Sequence, residues 1–360
     1  MMKNHWWWWL VAAALVLMVG VGLRHDASLY SVPVAQVTAV HNHKAQKEVD
    51  SYNNTDYQTE QTVTGRLLNT GRRGQTVRFS NTYTRSGALD SPLKVGNQVF
   101  LTHSGHSYQF RDNKRDVVLG VLLAITLLLI CLLAAKHAVV IIVSIAANTA
   151  LFFGAIHLDL HLGGNYGGAI FTSLVVIFTI VTVLFVIGWR PVGLVIGAAT
   201  LLSTIGAVAL GYGIMTATNY GGIHLQQVRY VTQSPALLFY VEIIVGSLGA
   251  VLDETSDISV AIFQLNGGAR QRFKAGMDIG RAVMGPLIAV LFMIFIADTF
   301  GESILWLRNG NSIAQTVDWV MGLGFAQSLI SAFGIVLAVP ITSGLAALFA
   351  RNRRGVAVDE

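Results

Sequence analysis

Long apolar runs alternate with short polar breaks over most of the chain, and one polar block of about ninety residues interrupts them near the N-terminus. A helix that crosses the hydrocarbon core of a bilayer needs about 20 apolar residues. Eight stretches meet that requirement, at roughly 6–23, 117–135, 138–156, 169–189, 192–214, 236–262, 282–300 and 323–350. Within the polar block the period changes to two. VPVAQVTAV, QTVTGRLL, TVRFSNTYT and QVFLTHSG alternate in the β manner, and Gly71, Gly74, Gly87 and Gly96 mark turns between them. Four or five short strands are expected, in a small barrel or sandwich of OB-like character. The stretch HNHKAQKEVDSYNNTDYQTEQ, 41–61, is polar throughout and reads as a loop.

The expected fold is therefore a membrane all-α bundle of about eight transmembrane helices, with a small extracytoplasmic β-barrel or OB-like domain inserted after the first helix. Its parts are an N-terminal signal anchor (1–23), the β domain (24–116), a seven-helix bundle (117–350) and a short tail (351–360). The first run follows Lys3 and opens with WWWW. No small-x-small cleavage site follows it and tryptophan suits the membrane interface, so the anchor is expected to be retained.

Composition supports this class. The chain is 53% hydrophobic and 12% charged, where soluble domains carry about 25% charged residues. The charge is also unevenly placed, since residues 24–116 hold 12 of the 24 Lys and Arg residues and 8 of the 19 acids. The net charge of +5, of which residues 24–116 hold +4 (12 − 8), does not point to nucleic acid. The β domain shows no basic–aromatic stripe either. The single cysteine, Cys131, lies in an apolar run, which excludes an internal disulfide and a multi-cysteine metal site.

Positive charge in short loops sets orientation. With the N-terminus inside, the inner side carries Lys3, Lys136, Arg190, Arg270, Arg272, Lys274, Arg281, Arg351, Arg353 and Arg354, against Arg229 and Arg308 outside. Both termini are thus expected in the cytoplasm, with 24–116 outside.

Candidate chemistry gathers in IVGSLGAVLDETSDIS, 244–259. Glu242, Gly246, Gly249, Asp253 and Asp257 have helical spacing and share one stripe, with Glu254 beside it. Small residues admit a close helix neighbour, and carboxylates within a membrane usually face protein or a wet path. The stripe is expected to face protein. Asp253, Asp257, Glu242 and Glu254 are the candidates for an ion or substrate pathway, with Asp253 first among them. The plainer alternative pairs the acids with Arg270, Arg272 and Lys274 of the next loop. The segment GGARQRFKAGMDIGRAVMGPL, 267–287, places Gly276, Gly280 and Gly285 for helix packing, beside Arg281. Pro286 is expected to kink or break the helix it enters.

Other chemistry is sparse. His157, Asp159 and His161 put two histidines on one helical face, but no third ligand completes a metal motif. No phosphate loop and no nucleophile–base arrangement occurs. No cofactor or metal is expected, and no enzyme, although an intramembrane carboxylate base stays open.

GSLGAVLDETSDISVAIFQL (246–265) and FKAGMDIGRAVMG (273–285) resemble the YibE/F family of bacterial membrane proteins. GRLLNTGRRGQTVRFSNTYTRSGALDSPLKVGNQVFLT (65–102) resembles that family's outer domain. The pattern departs at Ala282, where an acid is expected, and at Pro286–Ala289, where threonines are expected. Glu254 and Asp257 stand where small or apolar residues are expected. The resemblance implies a multi-pass membrane protein of the YibE-like kind, often paired with a related one. The expected partners are the bilayer and a second YibE/F-like protein or another copy of this chain. A looser likeness to proton-driven exporters with one helix, an outer domain and a bundle is of fold level only. The favoured function is a transporter or transporter subunit; the alternative is a non-catalytic scaffold whose outer domain binds an envelope partner.

Overall fold

The structure, a computed structural model, describes residues 6–87, 90–105, 107–163, 166–227 and 234–350. Lys3, Arg229, Arg351, Arg353, Arg354 and the 351–360 tail lie outside the described residues. The chain divides into two compact units, Met1–Ala138 and Val139–Glu360.

The first unit contains helix α1 (Trp6–Arg24), six strands and helix α2 (Asp116–Ala134). The strands are β1 (Val34–Asn42), β2 (Gln46–Val49), β3 (Thr55–Leu67), β4 (Thr76–Thr84), β5 (Gln98–Ser104) and β6 (Ser107–Asn113). All pair antiparallel in the order β2-β3-β1-β5-β6, with β4 also paired to β3. The sheet curls far enough for β4 and β6 to approach one another without pairing. Alternation along the strands turns Ala35, Val37, Val63, Leu67, Val77, Phe79, Val99 and Leu101 into one core. The loop expected at 41–61 is instead the end of β1, β2 and the first half of β3. β2 is wholly exposed, and the residues that the first half of β3 buries, Thr59 and Gln61, are polar, so no apolar alternation marks them. Asp50 makes the turn, its Oδ1 accepting from the Tyr52 and Asn54 amides at 2.9 and 2.8 Å.

A buried amide pair completes this core. Gln61 donates to Asn42 Oδ1 and to the Leu93 carbonyl, and its Oε1 accepts from the Leu93 amide and from Asn81 Nδ2. The Gln61 side chain thus pins the β4–β5 connection across the end of the sheet. Each buried group left unpaired costs about 1–3 kcal/mol. Gln61→Leu is therefore expected to speed amide exchange in β3 and β4 by roughly 30-fold in the intact protein, measured by hydrogen–deuterium exchange.

α1 and α2 pack on each other. Lys114, whose side chain is fully enclosed, closes the junction of these helices with the sheet. Its Nζ lies 2.7 Å from Asp26 Oδ1 and 2.6 Å from Asp116 Oδ2, and also donates to the Leu23 carbonyl. Tyr30 donates to Asp116 Oδ2 at 2.9 Å. Burial first, then that bond and the charges of Asp116 and Asp26, push the Tyr30 hydroxyl up to about 12.

The second unit is all helical: α3 (Ala138–His161), α4 (Gly167–Val186), α5 (Pro191–Ala217), α6 (Pro235–Gln264), α7 (Ala269–Arg308), α8 (Ile313–Thr316) and α9 (Gly322–Phe349). A π turn, Val317–Met321, joins the last two. α9 is central, packing against α5, α6 and α7. Seven helices are long and apolar enough to cross a membrane, α8 to α9 counting as one. The described apolar part of the first expected span, Leu10–Arg24, is shorter. α7 runs through Pro286 as one forty-residue helix, so of the expected kink or break the break does not occur; a proline costs a helix one amide bond.

Candidate functional site

α6 begins with Pro235 at its first turn and ends at Leu265, giving 30 helical residues. Two faces of this helix carry carboxylates, and they have opposite environments. Glu242, Gly246, Gly249, Asp253 and Asp257 are all exposed in the chain. A side-chain carbon added at Gly246 or Gly249 would meet nothing within 4 Å. Within this chain the stripe is therefore left open rather than packed against another helix, except that Glu242 at its start accepts from Gln327 of α9. Spacing determines which residues share a face, but not which way that face turns.

The buried face is Phe239, Ile243, Ser247, Val251, Glu254, Thr255, Ile258, Ser259 and Ile262. Glu254 is 0% exposed, and neither carboxyl oxygen has a hydrogen-bond partner among the described residues. At about 1.5 Å per residue it lies roughly 28 Å along α6. Its surroundings can be placed from its helical neighbours. One turn earlier, Val251 packs against Gly334 of α9, which in turn meets Ala207 of α5. One residue later, Thr255 shares a 2.8 Å hydroxyl bond with Thr200 of α5. Ser203 and Thr204 fall between those two levels on α5. Both are buried and their hydroxyls have no hydrogen-bond partner among the described residues, as is true of Ser259, Thr342 and Ser343. Five orphaned hydroxyls and a carboxyl thus occupy the packed interior of α5, α6 and α9. Buried polar atoms are normally satisfied, and orphans mark a place where something else binds or moves.

The basic residues after α6 are engaged elsewhere. Arg272, 5% exposed, donates to the Leu265 and Ala350 carbonyls, which end α6 and α9. A guanidinium there satisfies orphan carbonyls and opposes the negative ends of two helix dipoles. Arg281 pairs with Asp278 of its own helix at 3.5 Å. Arg270 and Lys274 line an open surface with Phe273 and Met277. Among the described residues, no ion pair links Asp253, Glu254 or Asp257 to this loop.

The glycines of α7 divide in the same way. A carbon added at Gly276 would lie 2.5 Å from Ser343 Oγ and 2.6 Å from Ile262 Cδ1, and one at Gly280 would strike Val339. Gly285 faces open space. His157 and His161 face each other at the end of α3, their Nε2 atoms 3.0 Å apart. Among the described residues no three His, Cys, Asp or Glu side chains are grouped so as to hold a metal ion.

Sequence reasoning gave Glu254 no more weight than its neighbours, although only its burial sets it apart. The hydroxyls of α5 and α9 passed unnoticed. Serine and threonine at helical spacing within apolar runs were the available signal.

An apolar helical bundle with an enclosed polar interior, preceded by a small antiparallel sheet, defines a multi-pass membrane protein. Residues 122–352 match the model of the YibE/F-like protein, and residues 28–113 match the YibE/F family N-terminal domain. The chain belongs to the YibE/F family. No curated protein and no solved structure matches it.

Proposed function

We propose that this YibE/F chain is a transporter or transporter subunit in which Glu254 takes up and releases a proton or a small cation. One observation carries the reading: a fully enclosed carboxyl with no hydrogen-bond partner among the described residues, in the same helical interior as the hydroxyls of Ser203, Thr204 and Ser259, which likewise have none among them. An ionised carboxylate buried alone is costly, so the site calls for a proton or a cation. Asp253, first by sequence, is open at the chain's surface and becomes the control position. The proposal places the chain in a bacterial plasma membrane, both termini cytoplasmic and residues 24–116 outside. A second copy or a related YibE/F protein would work beside it. The exposed stripe of Glu242, Gly246, Gly249, Asp253 and Asp257 supports such a neighbour, because helices approach closely where side chains are small.

The test is flux in proteoliposomes under an imposed pH or Na⁺ gradient, with the chain alone and with a co-expressed family partner. Glu254→Gln is expected to lower the flux at least tenfold, and Asp253→Asn by less than twofold. Flux that survives Glu254→Gln would remove Glu254 from the pathway, and flux absent from every combination would move the weight to the scaffold reading.

A further inference from the structure

Within the first unit, a hollow of about 220 Å³ lies where the end of α1 meets the sheet. Arg24 and His25 line it from the helix end, Arg73 from the turn between β3 and β4, and Gln98 from the start of β5. None of its described lining residues is Asp or Glu. Asp26, the acid next in sequence, is held by Lys114 at 2.7 Å. Among the described residues neither Arg24 nor Arg73 has a carboxylate partner.

An arginine in the last turn of a helix ordinarily caps the final carbonyls and opposes the dipole. In α1 other groups already do this. The Val21 carbonyl accepts from His25 Nδ1 at 2.8 Å, and the Gly22 carbonyl from the His25 amide at 3.0 Å. Lys114 Nζ donates to the Leu23 carbonyl, and Gln98 Nε2 to the Arg24 carbonyl at 2.9 Å. With the last carbonyls of the helix bonded, its end makes no demand on the Arg24 guanidinium. Gln98 gives its amide nitrogen to α1, while its Oε1 is enclosed and has no hydrogen-bond partner among the described residues. Two guanidiniums without a carboxylate, beside an acceptor without a donor, call for an anionic ligand that also carries a hydroxyl or ammonium group.

Depth in the membrane selects among such ligands. α2 is long and apolar enough to cross a bilayer, and it begins at Asp116. Asp116 and Asp26 share the Lys114 ammonium at 2.6 and 2.7 Å, so the hollow beside Asp26 is level with the start of α2. Lipid phosphates lie at that level, just beyond the hydrocarbon core. The planar guanidinium fork matches phosphate oxygens. The volume takes a phosphate with a small substituent, and the acyl chains would stay in the bilayer beside α1 and α2, whose apolar side chains are largely exposed.

We propose that this hollow holds a phospholipid headgroup, with its phosphodiester on Arg24 and Arg73 and its hydroxyl or ammonium group at Gln98 Oε1. The site stands whether or not Glu254 couples to transport. The test is titration calorimetry on the full-length protein in detergent micelles. The probes are a short-chain phosphatidylglycerol, the diacylglycerol that lacks its phosphate, and glycerol phosphate, which lacks its acyl chains. Saturable binding of the phosphatidylglycerol, no binding of the diacylglycerol, and a roughly tenfold loss of affinity in Arg73→Gln are expected, as for the loss of one charge-assisted contact. Arg73 is exposed at a turn, so the variant should fold. Arg24→Gln is expected to weaken binding similarly. Arg78→Gln, the same change of charge at an exposed position of β4 outside the hollow, should leave it unchanged. No saturable binding of the phosphatidylglycerol, or a loss in Arg78→Gln as large as in Arg73→Gln, would overturn the assignment. Glycerol phosphate binding as tightly as the lipid would overturn it too, and would make the hollow a site for a soluble phosphate ester.

Discussion

Gly280→Leu is expected to abolish the folded helical unit, and Gly280→Ala to weaken it by about 1–3 kcal/mol, the usual cost of forcing extra carbon into a packed core. The cause is the approach of α7 to α9. At Gly280 the added carbon would strike the Val339 side chain, whose Cγ2 lies only 2.7 Å from that position. Val339 is 2% exposed and has Ile258, Ile262 and Ala346 in its cluster, so it has little room to yield. One turn away, Gly276 meets Ser343 and Ile262 in the same manner. The two glycines form a flat strip on which α9 seats, and in lipid such close packing does much of what apolar burial does in water. Val339→Ala removes the struck atoms. The pair Gly280→Ala with Val339→Ala should be less damaging than the two changes summed, a coupling expected only for residues in contact. The measurement is loss of the monodisperse peak on heating in detergent. Gly285→Ala, facing open space, is the control and should stay within 0.5 kcal/mol of the parent. Equal damage at Gly285 and Gly280 would contradict this account.

The same strip shows what the sequence could and could not convey. Each expected apolar run of the helical unit lies within one of its helices or overruns it by no more than three residues, because a run of twenty apolar residues admits few other structures. Facing was less legible. In α6 every third or fourth position from Glu242 to Asp257 is small or acidic, and the spacing alone defined that stripe. Its direction depends on which side presents Ile243, Val251, Ile258 and Ile262 to α5 and α9, a relation between helices distant in sequence. Glu254 follows Asp253 directly, yet one residue turns the helix by 100° and moves a carboxyl from surface to interior. The β2–β3 hairpin was missed for a related reason. β2 is wholly exposed and the first half of β3 buries only polar residues, so its hydrogen bonds leave no apolar trace.

Lys114→Met is expected to destabilise the first unit by about 3–5 kcal/mol, the range for removing one partner from a buried charge cluster. The ammonium is 0% exposed and stands between Asp26 and Asp116, whose side chains are 12% and 23% exposed. Without it, two carboxylates face each other across a space that water barely reaches, and the Leu23 carbonyl loses its donor. Methionine keeps most of the stem, so the loss would be of charge rather than volume. Adding Asp26→Asn and Asp116→Asn to Lys114→Met should recover much of the stability, since a wholly neutral cluster has no stranded charge. Tyr30 reports on the same cluster. Its folded pKa of about 12 stands above the ordinary value of 10, so its contribution is complete below pH 10 and lost as pH rises through 12. In Lys114→Met the hydroxyl still bonds Asp116, and no cation remains over its ring, where Nζ lies 5.5 Å from the centroid. Protease susceptibility of residues 24–116 in the intact protein provides the readout. It should rise sharply in Lys114→Met and fall back in the triple variant. A triple variant as labile as the single one would show that Lys114 acts through packing of its stem and not through its charge.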